Sequence, residues 1–319
     1  MNLYARRWFL RAVPACALFV VFCQTSAALG QTAAAVEPFR IAYTMSLRRP
    51  ETHLFEVEID VETPRGVDSV EFQMPRWSPG RYAVFDFAKN VQEFSASGDC
   101  APDARCGTTG FDVERVDTQT WRVRTHGGRR LSARYKVYGD DLSGTFSQFD
   151  ARHANWNGAS VFMYVVGHKP DPVSLRVDAP PGWRVVNGRT TREGQNEFEF
   201  PNYDVLIDTP TEVAPDWTAD EFRVEGKLYR VVVHSLGEEG GKRQRLVRDI
   251  ERVVRAQTAM WGPPEFDSYT FLIHFDPDAP RGDGMEHLNS TQLVETRALA
   301  DAGALENVLG GASHEFFHV

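Results

Sequence analysis

Residues 54–62 read Leu54-Phe55-Glu56-Val57-Glu58-Ile59-Asp60-Val61-Glu62. Phe55, Val57, Ile59 and Val61 alternate with Glu56, Glu58, Asp60 and Glu62, which is the period of a strand with one face in a core and the other in water. Val70, Phe72 and Met74 repeat the pattern, and so do Leu131, Ala133, Tyr135 and Val137. Turn-forming clusters separate these runs: Pro64-Arg65-Gly66, Ser78-Pro79-Gly80, Gly127-Gly128 and Pro180-Pro181-Gly182. Short alternating strands at this spacing, with no helical pattern of any length among them, predict an antiparallel β-sandwich over residues 36–215.

Beyond residue 217 the pattern changes to α+β. A strand is expected over 228–235, followed by the turn 237–241 and an amphipathic helix. Leu246, Val247, Ile250, Val253, Val254 and Trp261 mark its apolar face, and Arg245, Arg248, Glu251, Arg252 and Arg255 lie outside. Gly262-Pro263-Pro264 ends it. A second strand is expected over 269–275, then an irregular, acidic, glycine-rich stretch over 276–284. The segment 301–319 has a helical pattern, weakened by Gly310-Gly311 because each glycine costs about 1 kcal/mol relative to alanine inside a helix.

The 319 residues suffice for two domains, each with its own core. A formal charge of -9 and the lack of any basic cluster exclude a nucleic-acid surface. Residues 1–30 differ from the rest. Arg6, Arg7 and Arg11 precede an apolar run from Ala12 to Phe22 and then small residues, the pattern of a secretory signal peptide. Arg6-Arg7 also suits a twin-arginine signal. Eleven apolar residues are short for a membrane span, so no anchor is expected once the signal is removed. The mature protein is therefore expected to be exported, to the periplasm or outside the cell. Cys16 and Cys23 leave with the signal, and Cys100 and Cys106 remain as a pair around a turn-like segment in an oxidising compartment, which predicts a disulfide.

The chemistry is concentrated in His314-Glu315-Phe316-Phe317-His318. Two histidines four apart share one helical face, where both imidazoles can bind one Zn²⁺. The carboxylate beside the first ligand is placed to take a proton from the water that the ion acidifies. Such a motif arises by chance about once in fifty chains of this composition. Phe316 and Phe317 are expected to anchor the helix in a core. The alternative is a surface helix with two unrelated histidines.

With these residues in view, the chain resembles the glycyl aminopeptidase family of zinc peptidases, from about Tyr43 onward. The likeness is carried by Met74-Pro75-Arg76-Trp77-Ser78-Pro79-Gly80-Arg81-Tyr82, Thr120-Trp121-Arg122-Val123, Tyr203-Asp204-Val205-Leu206-Ile207-Asp208-Thr209-Pro210, Gly284-Met285-Glu286-His287 and the HEFFH motif. It implies a β-rich N-terminal domain followed by a thermolysin-like catalytic domain, of which 217–319 would be the beginning. It also implies that Gly284, Met285 and Glu286 lie on an edge strand bordering the cleft. There the backbone would pair with a peptide substrate and Glu286 would receive its free amine. The third zinc ligand would be a glutamate on a later helix, so the resemblance implies a chain that stops short of it and is inactive alone. Trp77 and Tyr82 are expected to pack around a turn of the sandwich, His274 to be structural, and His287 either to help line the cleft or to be structural. Two other readings stay open: an endopeptidase of the same fold, and a non-catalytic exported β-domain binding protein with an incomplete zinc site.

Overall fold

The structure, a computed structural model, describes residues 38–99 and 110–319. The N-terminal segment read as a signal and the Cys100–Cys106 pair lie outside the described residues. The alternating run forms the strand Leu54–Glu62, with Phe55, Val57, Ile59 and Val61 buried. It lies inside a six-stranded sheet whose spatial order is Glu197–Phe200, Val173–Asp178, Arg40–Ser46, Leu54–Glu62, Arg130–Tyr138 and Val91–Gly98. Ile59 stands opposite Tyr43 on one side and Ala133 on the other, so the three apolar faces coincide.

A four-stranded sheet packs on the first and is built from Tyr164–Val165, Ser69–Gln73, Thr120–Arg124 and Val113–Arg115. Phe94 of the first sheet stacks on Trp121 of the second, with ring centroids 5.4 Å apart. Two features depart from a simple antiparallel sandwich. Arg40–Ser46 pairs in parallel with Val173–Asp178, because the chain returns to the first sheet only after building the second. A third sheet, of Arg184–Asn187, Thr211–Ala214, Ala154–Trp156 and Gln148–Phe149, carries Trp156 edge-on against Phe55.

The following region is a mixed five-stranded sheet with two helices. Its order is Thr218–Val224, Lys227–Ser235, Ser268–Phe275, Ser290–Glu295 and Asp283–His287. The long helix Arg243–Trp261 connects two parallel strands, as a crossover must. Leu246, Val247, Ile250 and Val254 are buried, but Val253 is half-buried and Trp261 is exposed, meeting only the edge of Phe317. The helix turns too far in its last two turns to keep Trp261 on the sheet. It ends at Gly262, whose φ of 90° closes it.

Ser290–Glu295 escaped the period-2 reading because its buried face is largely polar: Ser290, Thr291, Gln292 and Glu295 are all buried. The last helix, Ala304–Phe316, packs on this strand. At Gly311 an added Cβ would stand 3.1 Å from Leu293 Cδ2, so this glycine allows a close approach, while Gly310 faces open space. Phe316 anchors the helix among Tyr229, Tyr269 and Phe271. Phe317 does not join that core and is 57% exposed, because it lies on the opposite side of the helix end. None of the described helices is long and apolar enough to cross a membrane.

Glu295 ties the start of this helix to the sheet by accepting from Arg297 Nε at 2.8 Å and Asn307 Nδ2 at 2.7 Å. Burial raises the pKa of its carboxyl, but these hydrogen bonds outweigh burial and hold it below the ordinary value. A depressed carboxylate contributes stability above the unfolded value of about 4.3 and loses it as pH falls through the folded value. Glu295→Gln is therefore expected to cost about 1–3 kcal/mol at neutral pH. Urea unfolding from neutral to acidic pH should show the gap between wild type and variant closing below the ordinary carboxylate range.

Candidate active site

The last helix carries His314 in its final turn, and the turn that follows carries His318 on the same exposed side. Their ring centroids are 5.2 Å apart and the planes are inclined by 71°. Glu315, between them in sequence, is buried. Ligand atoms of His314, Glu315 and His318 all lie within 4.8 Å of one another. Two imidazoles on one helical face fit a divalent metal, and the buried carboxylate beside them fits a proton carrier rather than a ligand.

What Glu315 points at is the backbone of the edge strand Asp283–His287. A Cβ at Gly284 would collide with Glu315 Oε1, so only glycine lets the strand run this close to the carboxylate. Burial is the main influence raising the Glu315 pKa. The His314 and His318 imidazoles oppose it, and the Glu286 and Asp283 carboxylates reinforce it.

Along the edge strand, side chains alternate. Glu286 turns toward the helix end, with Oε1 3.9 Å from His318 Nδ1. Met285 turns away and is buried against Gly80 and Gly144, where a Cβ on Gly144 would be 2.7 Å from Met285 Cβ. Of the three residues expected to bind substrate, Met285 can therefore offer only its backbone. Among the described residues the strand pairs on one side only, with Gly284 opposite Leu293 and Glu286 opposite Thr291, and its outer edge has no strand partner. A cleft of about 900 Å³ lies alongside, lined by Gly80, Asp208, Glu286, Phe317 and His318 among others.

The β-rich region supplies the outer support of this strand, which the sequence motifs did not reveal. Asp208 accepts from His287 Nδ1 and from the Leu288 N–H, both at 2.9 Å. Arg81 pairs with Asp283, whose carboxylate also accepts the Gly144 N–H at 2.9 Å. The packed-turn expectation for Trp77 and Tyr82 is corrected: they are 51% and 97% exposed. Gly80, with φ of 80°, turns the loop so that its backbone rests on Met285 and Glu286 and leaves both rings outside. Nothing local in the motif signals this, since the loop's partner lies some 200 residues away in the chain. His287 is held as a structural residue. His274 lies on the other face of the sheet from the helix, within a separate buried cluster.

A helix bearing two histidines and a buried glutamate, set against a glutamate-bearing edge strand beside a β-rich region, is the arrangement of a metallopeptidase. Residues 42–215, more than half of the chain, match the Peptidase M61 N-terminal domain, and the chain belongs to the M61 peptidase family. A solved structure described as an aminopeptidase N family protein from Idiomarina loihiensis is similar, at 27% identity and a TM-score of 0.75. The alignment covers 87% of this chain and 47% of that one, so the chain spans about half the length of this relative. An M1 zinc metallopeptidase from Deinococcus radiodurans aligns at 15% identity and a TM-score of 0.44, over 88% of this chain and 64% of that one. No curated protein sequence matches.

Two glycines separate the site from the scaffold experimentally. Gly284→Ala forces Glu315 or the strand to move, and a displacement near 1 Å is expected to lower turnover by about 100-fold. Gly310→Ala meets nothing and should raise stability by about 0.5–1 kcal/mol with turnover unchanged. Thermal melts of both variants, and steady-state kinetics in a protein that also carries the later glutamate-bearing helix, check the pair.

Proposed function

We propose that the protein is an exported zinc-dependent aminopeptidase that removes N-terminal residues, small ones such as Gly or Ala preferred. The observation that carries this reading is the placing of Glu286 on an unpaired strand edge, 3.9 Å from His318. An acid in that position, one strand-width from the histidine pair, can measure the distance from a peptide's amine to its first bond. The preference for small residues rests on the family resemblance, and export rests on the N-terminal sequence pattern.

His314 and His318 would hold the metal. When bound, Zn²⁺ polarises a peptide carbonyl and makes water a nucleophile near neutral pH. The remaining roles belong to the chain. The outer edge of Asp283–His287 pairs with an extended substrate through backbone N–H and C=O groups. Glu286 receives the substrate ammonium in a charge-assisted hydrogen bond and fixes the register at one residue. Glu315 takes the proton of the attacking water and delivers it to the departing amine. Its burial against Gly284 keeps the carboxylate shielded from solvent and correctly aimed.

Glu315→Gln tests the reading directly. In a protein that also carries the later glutamate-bearing helix, turnover of an unblocked peptide is expected to fall about 10²–10⁴-fold, with the zinc content unchanged; equal turnover of variant and wild type would sink the enzyme assignment. Acetylating the substrate amine should abolish cleavage by wild type. Glu286→Gln should weaken discrimination between free and acetylated peptides; undiminished discrimination would take the amine-binding role from Glu286, and cleavage of acetylated peptide by wild type would favour an endopeptidase.

A further inference from the structure

Away from the HEFFH helix, four side chains from two sheets meet in the interior. His153 precedes the strand Ala154–Trp156, and Glu212 lies in Thr211–Ala214 of the same sheet. His234 and His274 come from the neighbouring parallel strands Lys227–Ser235 and Ser268–Phe275 of the mixed sheet. None is more than 2% exposed. We propose that His153, Glu212, His234 and His274 hold a structural zinc ion that clasps the β-rich region to the mixed sheet.

The distances suit that ion. Glu212 Oε1 is 3.0 Å from His153 Nδ1 and 3.2 Å from His234 Nδ1, and Glu212 Oε2 is 3.8 Å from His274 Nε2. One ligand atom from each of the four lies within 4.8 Å of all the others. Zn–N and Zn–O bonds of about 2.0–2.1 Å in a tetrahedron put neighbouring ligand atoms about 3.3 Å apart. The three rings surround the carboxylate, with centroid separations of 4.9, 5.9 and 5.9 Å. Three imidazoles and one carboxylate are a donor set that zinc accepts in this geometry.

The surroundings suit it as well. A metal-bound imidazole uses its second nitrogen to donate outward. His153 Nε2 faces Gln148 Oε1 at 3.1 Å; His234 Nε2 lies 3.2 Å from Asp216 Oδ1 without hydrogen-bond alignment, and His274 Nδ1 is buried with no partner. Asn155 Nδ2, 3.4 Å from His274 Nε2, has Thr211 O and Gln292 Oε1 at the same distance as other acceptors. Glu212 and Asp216 together match the charge of a divalent ion. Hydrogen bonds alone leave Glu212 Oε2 buried with no donor, an arrangement that folded proteins avoid. The four ligands close the site, with none exposed to solvent, which is the pattern of a structural rather than a catalytic metal. The clasp also reaches the active-site strands: Gln292 donates to Asn155 Oδ1 at 2.9 Å, and its strand pairs with Asp283–His287.

The decisive protein is the full chain carrying His314→Ala and His318→Ala, which removes the exposed pair and leaves the interior intact. After expression with zinc and passage through a chelator at neutral pH, elemental analysis is expected to find about one zinc per chain. Cobalt grown in its place should give the visible absorption of a tetrahedral site. Adding His274→Ala or Glu212→Gln should abolish that metal and lower the melting temperature by several degrees. If either addition prevents folding, the stoichiometry of the double variant decides alone. A folded double variant that holds no metal, and whose melting is unmoved by added Zn²⁺, overturns the clasp and makes the cluster a hydrogen-bonded network. Turnover retained by the double variant would count against the proposed active site and leave the clasp untouched.

Discussion

The approach of a strand backbone to a buried carboxylate organises this molecule. Glu315 is kept from water by the last helix on one side and by Gly284 on the other, and no residue with a Cβ fits between them. That constraint sets where the helix lies relative to the sheet. It also sets which side chains of the edge strand can face the cleft. With Gly284 committed to Glu315, the strand's alternation sends Glu286 toward His318 and Met285 into the interior.

An edge strand left to itself would fray or pair with a neighbouring chain. Here it is held from outside by the β-rich region. Asp208 grips the turn after the strand through His287 and Leu288, and Arg81 and Gly144 grip Asp283 before it. The β-rich region therefore acts as a splint for the substrate-facing edge. Its characteristic motifs, which look purely architectural in sequence, supply two of the gripping residues, Arg81 and Asp208.

Legibility in the sequence followed the physics of each element. Strands with one wet face announced themselves, as Phe55–Glu62 does, because burial imposes a period of two. The long helix was legible for the same reason, until its last turns carried Trp261 off the sheet. Ser290–Glu295 was not legible, since its buried positions are filled by Ser, Thr, Gln and Glu, and Gln292 finds its partner 149 residues away at Ser143. The parallel pairing of Arg40–Ser46 with Val173–Asp178 was hidden too, because alternation says nothing about a strand's neighbours. His274 read alone as an ordinary core histidine. Its meaning depends on His153, Glu212 and His234, which no spacing relates to it.

The sequence by itself determined the β-rich start, the α+β character beyond residue 217, and the pair His314 and His318 with Glu315 beside them, because helical geometry alone puts residues four apart on one face. The tertiary structure decided everything that joins distant segments. It placed Glu286 by the histidines, turned Met285 inward, left Trp77 and Tyr82 in solvent, and gathered four buried ligand groups from 153 to 274. Local periodicity carries information over one turn or one pleat, whereas these contacts cross about 30 to 200 residues of chain and exist only once the sheets have packed.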